Sequence, residues 1–532
     1  MRAVLLFSGD AVTACRAAAF SHCDVFWKVS KDGCCLPFAD IRLLRNALSD
    51  GRPGRFKKKR TGTLQMGGKP KKTDLTEGPI FKPMLAFLLP MIGSILFQQL
   101  YNTVDFIFIG NLLDTAAAAG VGASSTLISC EIGMFSGIAV GTSVVISQAV
   151  GARDRVRAEK ALHTSLLFGL AAGTLLMLAC LFLARPILFL LNTPRECMED
   201  AVVYMRIYSL SLPFMVFYNM GSGTQRAYGD SRTPFRILAV CGVFNVAADA
   251  FFLLVIPLGV AGVAIATFLS QVLSAILSAV SLHRQESPVR FSWKKLRLDR
   301  RILSDVLRVG LPSGIQTVLI TFSNIIIQFY INAYGETAVA AFATYYKVEN
   351  FIYFPIVGFG QAATTFAGQN TGAGKYRRVE KGTLIAVVTG AVLTFLLASV
   401  ILIFRETVFG WFMKNEEVVA DALLIAGISF PFYWMYPLLE VYGGALRGMG
   451  YSMESMVTIL ASMCGLRIAL LAIASAKFHS ISALAAVYPV TWATAAVLFM
   501  VQFAVIMRRK KNVGKNMEMR LSRERLGLRS EE

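Results

Sequence analysis

Charged side chains are scarce in this chain of 532 residues: Asp, Glu, Lys and Arg make up 16% of it, against about 25% in soluble domains. Hydrophobic residues reach 55%. They recur in runs of roughly 20 residues, the length that spans the hydrocarbon core of a bilayer. The shortage of charge therefore excludes an ordinary soluble domain and predicts a multi-pass membrane protein.

Catalytic and metal-binding patterns are also lacking. The four histidines are far apart and form no HExxH motif, and the nine cysteines form no CxxC pair with zinc-like spacing. The stretch GQNTGAGK at 368–375 fails the spacing of a phosphate-binding loop, and Tyr376 stands where Ser or Thr would follow the lysine. No cluster of His, Asp or Ser collects at one predicted membrane face. We therefore expect neither an enzyme nor a bound cofactor.

The net charge of +20 first suggests a nucleic-acid partner. However, Met1–Lys82 holds 16 Lys/Arg against 7 Asp/Glu, and Arg508–Glu532 holds 9 against 4. Most of the remaining excess lies in short loops between apolar runs, where membrane topology explains it. We therefore predict contact with the lipid bilayer and no nucleic acid.

The amino-terminal residues 1–78 differ from the rest and are predicted to be a basic, disordered extension. Their run RFKKKR at 55–60 would suit anionic lipid. The other interpretation is that Met66 is the working start and the preceding residues are dispensable. At the other end, 508–532 are predicted to form a basic cytoplasmic tail.

Twelve apolar runs, separated by charged or turn-rich breaks, predict an all-α polytopic membrane protein with twelve transmembrane helices. The expected ranges are 84–110, 117–149, 161–184, 200–225, 235–256, 260–282, 306–332, 338–370, 381–404, 419–445, 453–475 and 481–507. Lys and Arg concentrate in the connections that follow the even-numbered helices. Because positive loops stay in the cytoplasm, both termini are predicted to be cytoplasmic.

The two halves of the chain repeat each other. QAVGA at 148–152 recurs as QNTGA at 369–373, and RAYGDS at 226–231 recurs as RGMGYS at 447–452. Six helices per repeat give both halves the same orientation, so the axis relating them lies along the membrane normal. We predict two six-helix lobes around a central cavity: an N-lobe at 79–283, a cytoplasmic linker at 284–304 and a C-lobe at 305–507.

These features together resemble the multidrug and toxic compound extrusion (MATE) family. The segments that carry the resemblance are LPMIGSILFQQLYNTVDFIFIG at 89–110, RAYGDSRTP at 226–234, FNVAADAFFL at 244–253 and GQAATTFAGQNTGAGK at 360–375. The resemblance covers about 84–507. It implies a secondary active transporter that antiports small organic compounds, often cationic drugs, out of the cell against inward Na⁺ or H⁺ by alternating access. It also implies a monomer in a bacterial inner membrane.

An ionisable side chain inside a predicted span is costly and needs a reason. Asp105 lies deep in helix 1, and Asn245 and Asp249 are four residues apart on helix 5. If helices 1, 5 and 6 meet, these oxygens and the hydroxyl of Thr267 would suit a hard cation such as Na⁺, or equally a shared proton. In the resemblance, Asp105, Asn245, Asp249 and Thr267 match the cation site of the amino-terminal lobe.

The repeat offers an internal comparison for this predicted site. The equivalent positions of the second half hold Ile327, Leu466, Leu470 and Tyr488. A purely structural cluster should survive in both halves about as often as in one, so its loss from one half points to a dedicated site. The alternative is that the four residues only fasten helices together.

Other polar residues inside predicted spans are candidates for substrate or structural contacts: Gln98, Asn102, Glu131, Glu349, Glu440 and Arg467. Gln98, Asn102 and Asp105 form one polar stripe on helix 1. Arg467 is expected to pair with Glu440 or Glu349, although a glutamate could instead attract a cationic drug. Glu131 is open to either interpretation.

A flippase for a lipid-linked saccharide is the alternative function, because related folds handle lipids. Such a protein would need a cavity rich in Arg and Lys to hold a pyrophosphate. Arg467 is the only clear base in the middle of a predicted span. The sequence therefore favours export of organic compounds over lipid flipping.

Overall fold

The structure is a computed structural model that describes residues 75–191, 193–285 and 289–525. These residues belong to one compact unit, Lys69–Glu532, and contain helices and connections but no β-strand. The predictions for residues 1–74 lie outside the described residues. The predicted extension ends at residue 78, but Leu75 is buried and its carbonyl accepts a hydrogen bond from Asn370 (3.1 Å). The folded part therefore begins earlier than predicted.

The N-lobe helices cover the predicted ranges to within a residue. Each helix keeps the number of the predicted span that it covers. They are α1 Phe81–Leu112, α2 Thr115–Gly151, α3 Arg155–Leu190, α4 in two parts (Arg195–Ser209 and Leu212–Ala227), α5 Arg232–Ala250 with a π-helical extension Phe251–Val255, and α6 Val260–Arg284. The two parts of α4 meet at an angle of 46°. Pro213 explains the break, because proline has no backbone N–H to continue a helix.

The C-lobe repeats this order. Its helices are α7 Arg300–Asn332, α8 Glu336–Gly372, α9 Tyr376–Ile403, α10 in three parts (Glu416–Ser429, a 3₁₀ segment Phe430–Met435 and Tyr436–Gly448), α11 with a π-helical middle (Ser452–Ile459, Leu460–Leu466 and Arg467–Phe478), and α12 Ile481–Arg525. A short helix, Arg405–Gly410, joins α9 to α10. Since α12 continues to Arg525, much of the predicted tail is helical.

Eleven of these helices are long and apolar enough to cross a bilayer, counting the bent α4 as one. The twelfth, α8, is 37 residues long but carries more polar residues, including Lys347 and Glu349. Much of its second half is buried inside the protein, so it needs no continuous apolar surface. The predicted twelve-helix, all-α architecture is confirmed.

The first helix of each lobe packs against the other lobe. Met84 and Phe87 of α1 share a hydrophobic core with Phe359 of α8. In the same way, Val306 of α7 shares a core with Val145 of α2. Met84 and Phe87 lie near the start of α1, Val306 near the start of α7 and Val145 near the end of α2. These helix ends are on the side that carries the loops after α2, α4, α6, α8 and α10, which we call the basic face. The two lobes are therefore interlocked at that face.

The predicted linker at 284–304 is anchored to the N-lobe. The hydroxyl of Thr164 donates to the carbonyl of Arg297 and accepts from the N–H of Asp299, both at 3.1 Å. Asp299 caps α7, and hydrogen bonds from the N–H of Ile302 and from Lys160 hold the pKa of its carboxyl below the usual value. Arg297 and Asp299 of the linker are therefore bound to α3 of the N-lobe.

Candidate functional site

Two carboxyl groups meet inside the N-lobe. Asp105 of α1 and Asp249 of α5 are close enough to interact electrostatically. The Nδ2 of Asn245 lies 3.4 Å from Oδ2 of Asp249, and both α5 side chains are almost fully buried. The structure thus brings together three of the four predicted residues.

This pair of acids has unused bonding capacity. The Oδ1 atoms of Asp105 and Asp249 are both buried without a hydrogen-bond partner. Within residues 75–191, 193–285 and 289–525, no basic side chain forms an ion pair with either aspartate. Two neighbouring buried carboxylates cannot both stay ionised without a compensating positive charge. The arrangement is therefore suited to holding a cation or a proton.

A close approach of α1 and α5 creates the site. Gly242 of α5 faces α1, and a Cβ there would lie 2.8 Å from ring atoms of both Phe97 and Tyr101. The hydroxyl of Ser270 on α6 donates to the carbonyl of Cys241 at 2.9 Å, which ties α6 to the same turn of α5. Small residues at these contacts let the helices approach closely in a membrane.

The remaining residues predicted for this region are placed less tightly. Thr267 is half-buried on α6, and its hydroxyl makes no hydrogen bond to another described residue. Gln98 and Asn102 are exposed, whereas Asp105 is half-buried. The predicted polar stripe on α1 is therefore divided, with only its last member in the acidic pair.

Two tyrosines that the sequence analysis missed lie beside the pair. Tyr204 is close enough to interact electrostatically with both Asp105 and Asp249, and Tyr208 with Asp105 and Glu131. Their rings are 6.0 Å apart, and both are buried. Their spacing of four residues on α4 was the available signal, since it puts both rings on one face of that helix.

Glu131 of α2 is only half satisfied. Its Oε1 accepts a hydrogen bond from the thiol of Cys180 at 2.9 Å, whereas its Oε2 is buried without a partner. The thiol is a weak donor. Glu131 is therefore held only weakly, through one oxygen, and keeps its other oxygen unbonded in the interior of the N-lobe.

The charged residues of the C-lobe are bonded differently. Glu349 accepts from the hydroxyl of Tyr433 at 2.8 Å, and Glu440 forms an ion pair with Arg447 at 3.0 Å. The prediction that Arg467 pairs with Glu440 or Glu349 is wrong. Arg447, two helical turns after Glu440 on α10, forms the ion pair with Glu440 instead.

Arg467 itself binds neutral groups. It donates to the hydroxyl of Thr491 at 3.1 and 3.3 Å and lies over the ring of Tyr488, 5.0 Å from its centroid. Tyr488 stands at the position equivalent to Thr267, and its hydroxyl is 2.6 Å from that of Tyr346. Of the other equivalents, Ile327 is buried at 3% exposure. The four equivalent positions of the C-lobe, all of them among the described residues, hold no acid.

Comparison of the chain with known proteins identifies its family. The MatE family model matches residues 90–251 and 312–473, which are the two repeats. The chain belongs to the MatE family. The predicted family is confirmed, and the protein is a membrane transporter. The first matched segment includes Asp105, Asn245 and Asp249 but ends before Thr267.

Relatives in this family are similar along most of their length. The probable multidrug resistance protein YpnP of Bacillus subtilis is 29% identical over 76% of this chain and 90% of its own. The multidrug export protein MepA of Staphylococcus aureus is 23% identical over 73% and 86%. A multidrug resistance MATE transporter in an outward-facing conformation superimposes with a TM-score of 0.79, at 22% identity, over 84% of this chain and all of its own.

Proposed function

We propose that this MatE protein is a multidrug efflux transporter that exchanges small organic compounds, often cations, for Na⁺ or H⁺. The observation that supports coupling is the acidic pair Asp105–Asp249, whose two buried Oδ1 atoms have no partner. The names of YpnP and MepA support drugs as the exported compounds. In this proposal the basic face is cytoplasmic, the membrane is the bacterial plasma membrane, and the chain works as a monomer.

The ion would drive the cycle by differential binding. A cation or proton at Asp105 and Asp249 stabilises the lobe arrangement in which the pair is compact, and its release favours the other arrangement. One charge that crosses 100 mV supplies about 2.3 kcal/mol, enough for a drug gradient of roughly 40-fold. A proton would need only the two carboxyl groups, whereas Na⁺ would also draw on the amide of Asn245 and on Thr267.

The lipid-flippase alternative has less support. A pyrophosphate would require free basic groups in the membrane interior. Arg467 is 7% exposed, and its guanidinium is engaged by Thr491 and Tyr488. It therefore offers little to such a headgroup.

Reconstituted vesicles would test the proposal with matched acid-to-amide variants. Asp249→Asn should lower gradient-driven ethidium export at least about tenfold, because the amide cannot exchange a proton or neutralise a cation. Glu349→Gln should retain most of it, since tyrosine hydroxyls can still contact the amide oxygen. Imposing Na⁺ and H⁺ gradients separately identifies the ion.

Two results would contradict the proposal. If Asp249→Asn exports as wild type does and Glu349→Gln does not, coupling lies in the C-lobe and the acidic pair is structural. If wild type exports no dye but moves lipid-linked saccharide, the drug-export proposal is wrong.

A further inference from the structure

Two glutamines make the same hydrogen bond in opposite directions across the lobe boundary. The Nε2 of Gln148 on α2 donates to the carbonyl of Gly448 at the end of α10, at 3.0 Å. The Nε2 of Gln369 on α8 donates to the carbonyl of Ala227 at the end of α4, at 2.8 Å. Donor and acceptor both shift by 221 residues between the two bonds. The contact is therefore reciprocal, and each lobe supplies one donor and one acceptor.

Two glycines bring the donor helices into backbone contact at the same place. Gly151 and Gly372 follow the glutamines by three residues. A Cβ at Gly151 would overlap the carbonyl oxygen of Gln369, and one at Gly372 would overlap that of Gln148. Any larger residue would force α2 and α8 apart at the basic face. The sequence motifs QAVGA and QNTGA thus describe two halves of one contact.

The helix ends at this contact are held rigidly. After α2 the chain turns through Arg153 (φ 59°), and after α8 through the equivalent Gly374 (φ 70°). The turns are closed by matching bonds, from Asp154 N–H to the carbonyl of Ala149 (2.9 Å) and from Lys375 N–H to that of Asn370 (2.8 Å). Both sides of the contact therefore end in the same kind of hydrogen-bonded turn.

The chemistry of the contact suits repeated opening. The last carbonyls of a helix have no hydrogen-bond partner within that helix. Each glutamine amide donates to one such carbonyl in the opposite lobe. Both bonds are between neutral groups, which are individually weak and which water can replace when the lobes part. A buried ion pair at this place would be much harder to separate.

We propose that Gln148, Gln369, Gly151 and Gly372 form a gate, which we call the glutamine latch, and that it closes the space between the two lobes toward the basic face. The inference rests on the alternating-access cycle proposed above. In that cycle both glutamine bonds must break together before a compound can enter from the basic face, and both must re-form before it leaves on the opposite side.

Hydrogen–deuterium exchange of the full-length protein tests the latch without any ion gradient or drug. Gln→Met keeps the side-chain volume but removes the donor. Gln148→Met should speed exchange about fivefold in the opposite lobe, at 372–378 and 446–452, the effect of losing one hydrogen bond. Gln369→Met should do the same at 151–157 and 225–231. Gln225→Met is the control, because the Gln225 amide donates within its own lobe to Ser281 (2.9 Å).

Exchange that changes only within the mutated lobe, or equally in Gln225→Met, would overturn the latch. Transport supplies a second readout. Where wild type shows gradient-driven export, both latch variants should export at least about threefold more slowly, because closure of the latch contributes to the rate of transport. Gradient-driven export that is unchanged in both variants would refute the gate while leaving the coupling proposal intact.

Discussion

In the N-lobe, α1 and α5 bring Asp105 and Asp249 together in the membrane interior, and each keeps a buried oxygen without a partner. In the C-lobe, the equivalent positions on α7 and α11 hold Ile327 and Leu470, which pack as ordinary apolar residues. The two lobes have the same helix order and a family match over equivalent segments. The difference between them is therefore chemical and not architectural.

The C-lobe has buried charge as well, but its groups are bonded. Glu349 is bound by tyrosine hydroxyls, Glu440 by Arg447, and Arg467 by Thr491. A satisfied polar group can contribute to packing, whereas an unsatisfied one costs stability and persists where function requires it. The comparison separates a candidate ion site from polar groups that hold a lobe together.

The largest expected effect comes from giving the N-lobe the residues of the C-lobe. Asp105→Ile combined with Asp249→Leu should abolish gradient-driven export while raising the free energy of unfolding by about 1–2 kcal/mol, because an unfavourable acidic pair becomes apolar contact. Thermal unfolding in detergent and export from vesicles measure the two effects. A loss of stability would mean that the pair fastens α1 to α5.

A C-lobe charge should behave in the opposite way. Glu440→Gln should lower the free energy of unfolding by about 2 kcal/mol, since it leaves the mostly buried Arg447 without its counter-charge. The identity of the coupling ion should not change. The double variant Glu440→Gln with Arg447→Met should recover most of the loss. A changed ion preference in Glu440→Gln would instead place coupling chemistry in the C-lobe.

The smallest effect concerns the linker that starts the C-lobe. Asp299 caps α7, and its lowered pKa means that it stabilises the fold above its unfolded-state pKa, about 3.9, and stops doing so as the pH falls through its folded-state pKa. Asp299→Ala should therefore lower the midpoint of thermal unfolding at neutral pH, and the difference from wild type should narrow in acid.

Asn415 provides the matched control for this pH dependence. Its side chain caps α10 by accepting from Glu417 N–H (3.0 Å) and Val418 N–H (3.3 Å), but it carries no charge. The effect of Asn415→Ala should be independent of pH in the acid range. If Asp299→Ala shows the same flat profile, the charge of Asp299 contributes nothing to the cap.

The twelve spans, the two repeats and the family can all be predicted from the order of the amino acids. A bilayer demands whole apolar stretches, so each span is visible locally, and charge inside such a stretch is conspicuous. Asp105, Asn245 and Asp249 were found for that reason. Asn245 and Asp249 are four residues apart on one helix. Placing Asp105 beside them needed only the assumption that α1 and α5 meet.

The partners of the polar groups could not be predicted in this way, because they depend on how distant helices pack. The sequence offers Glu349 and Glu440 as possible partners for Arg467. In the folded protein, the packing of helices far apart in the chain places Thr491 and Tyr488 against it instead. The same is true of Tyr204 beside the acidic pair and of the reciprocal bonds of Gln148 and Gln369. A hydrogen bond depends on a few tenths of an ångström between side chains, and helix packing sets that distance.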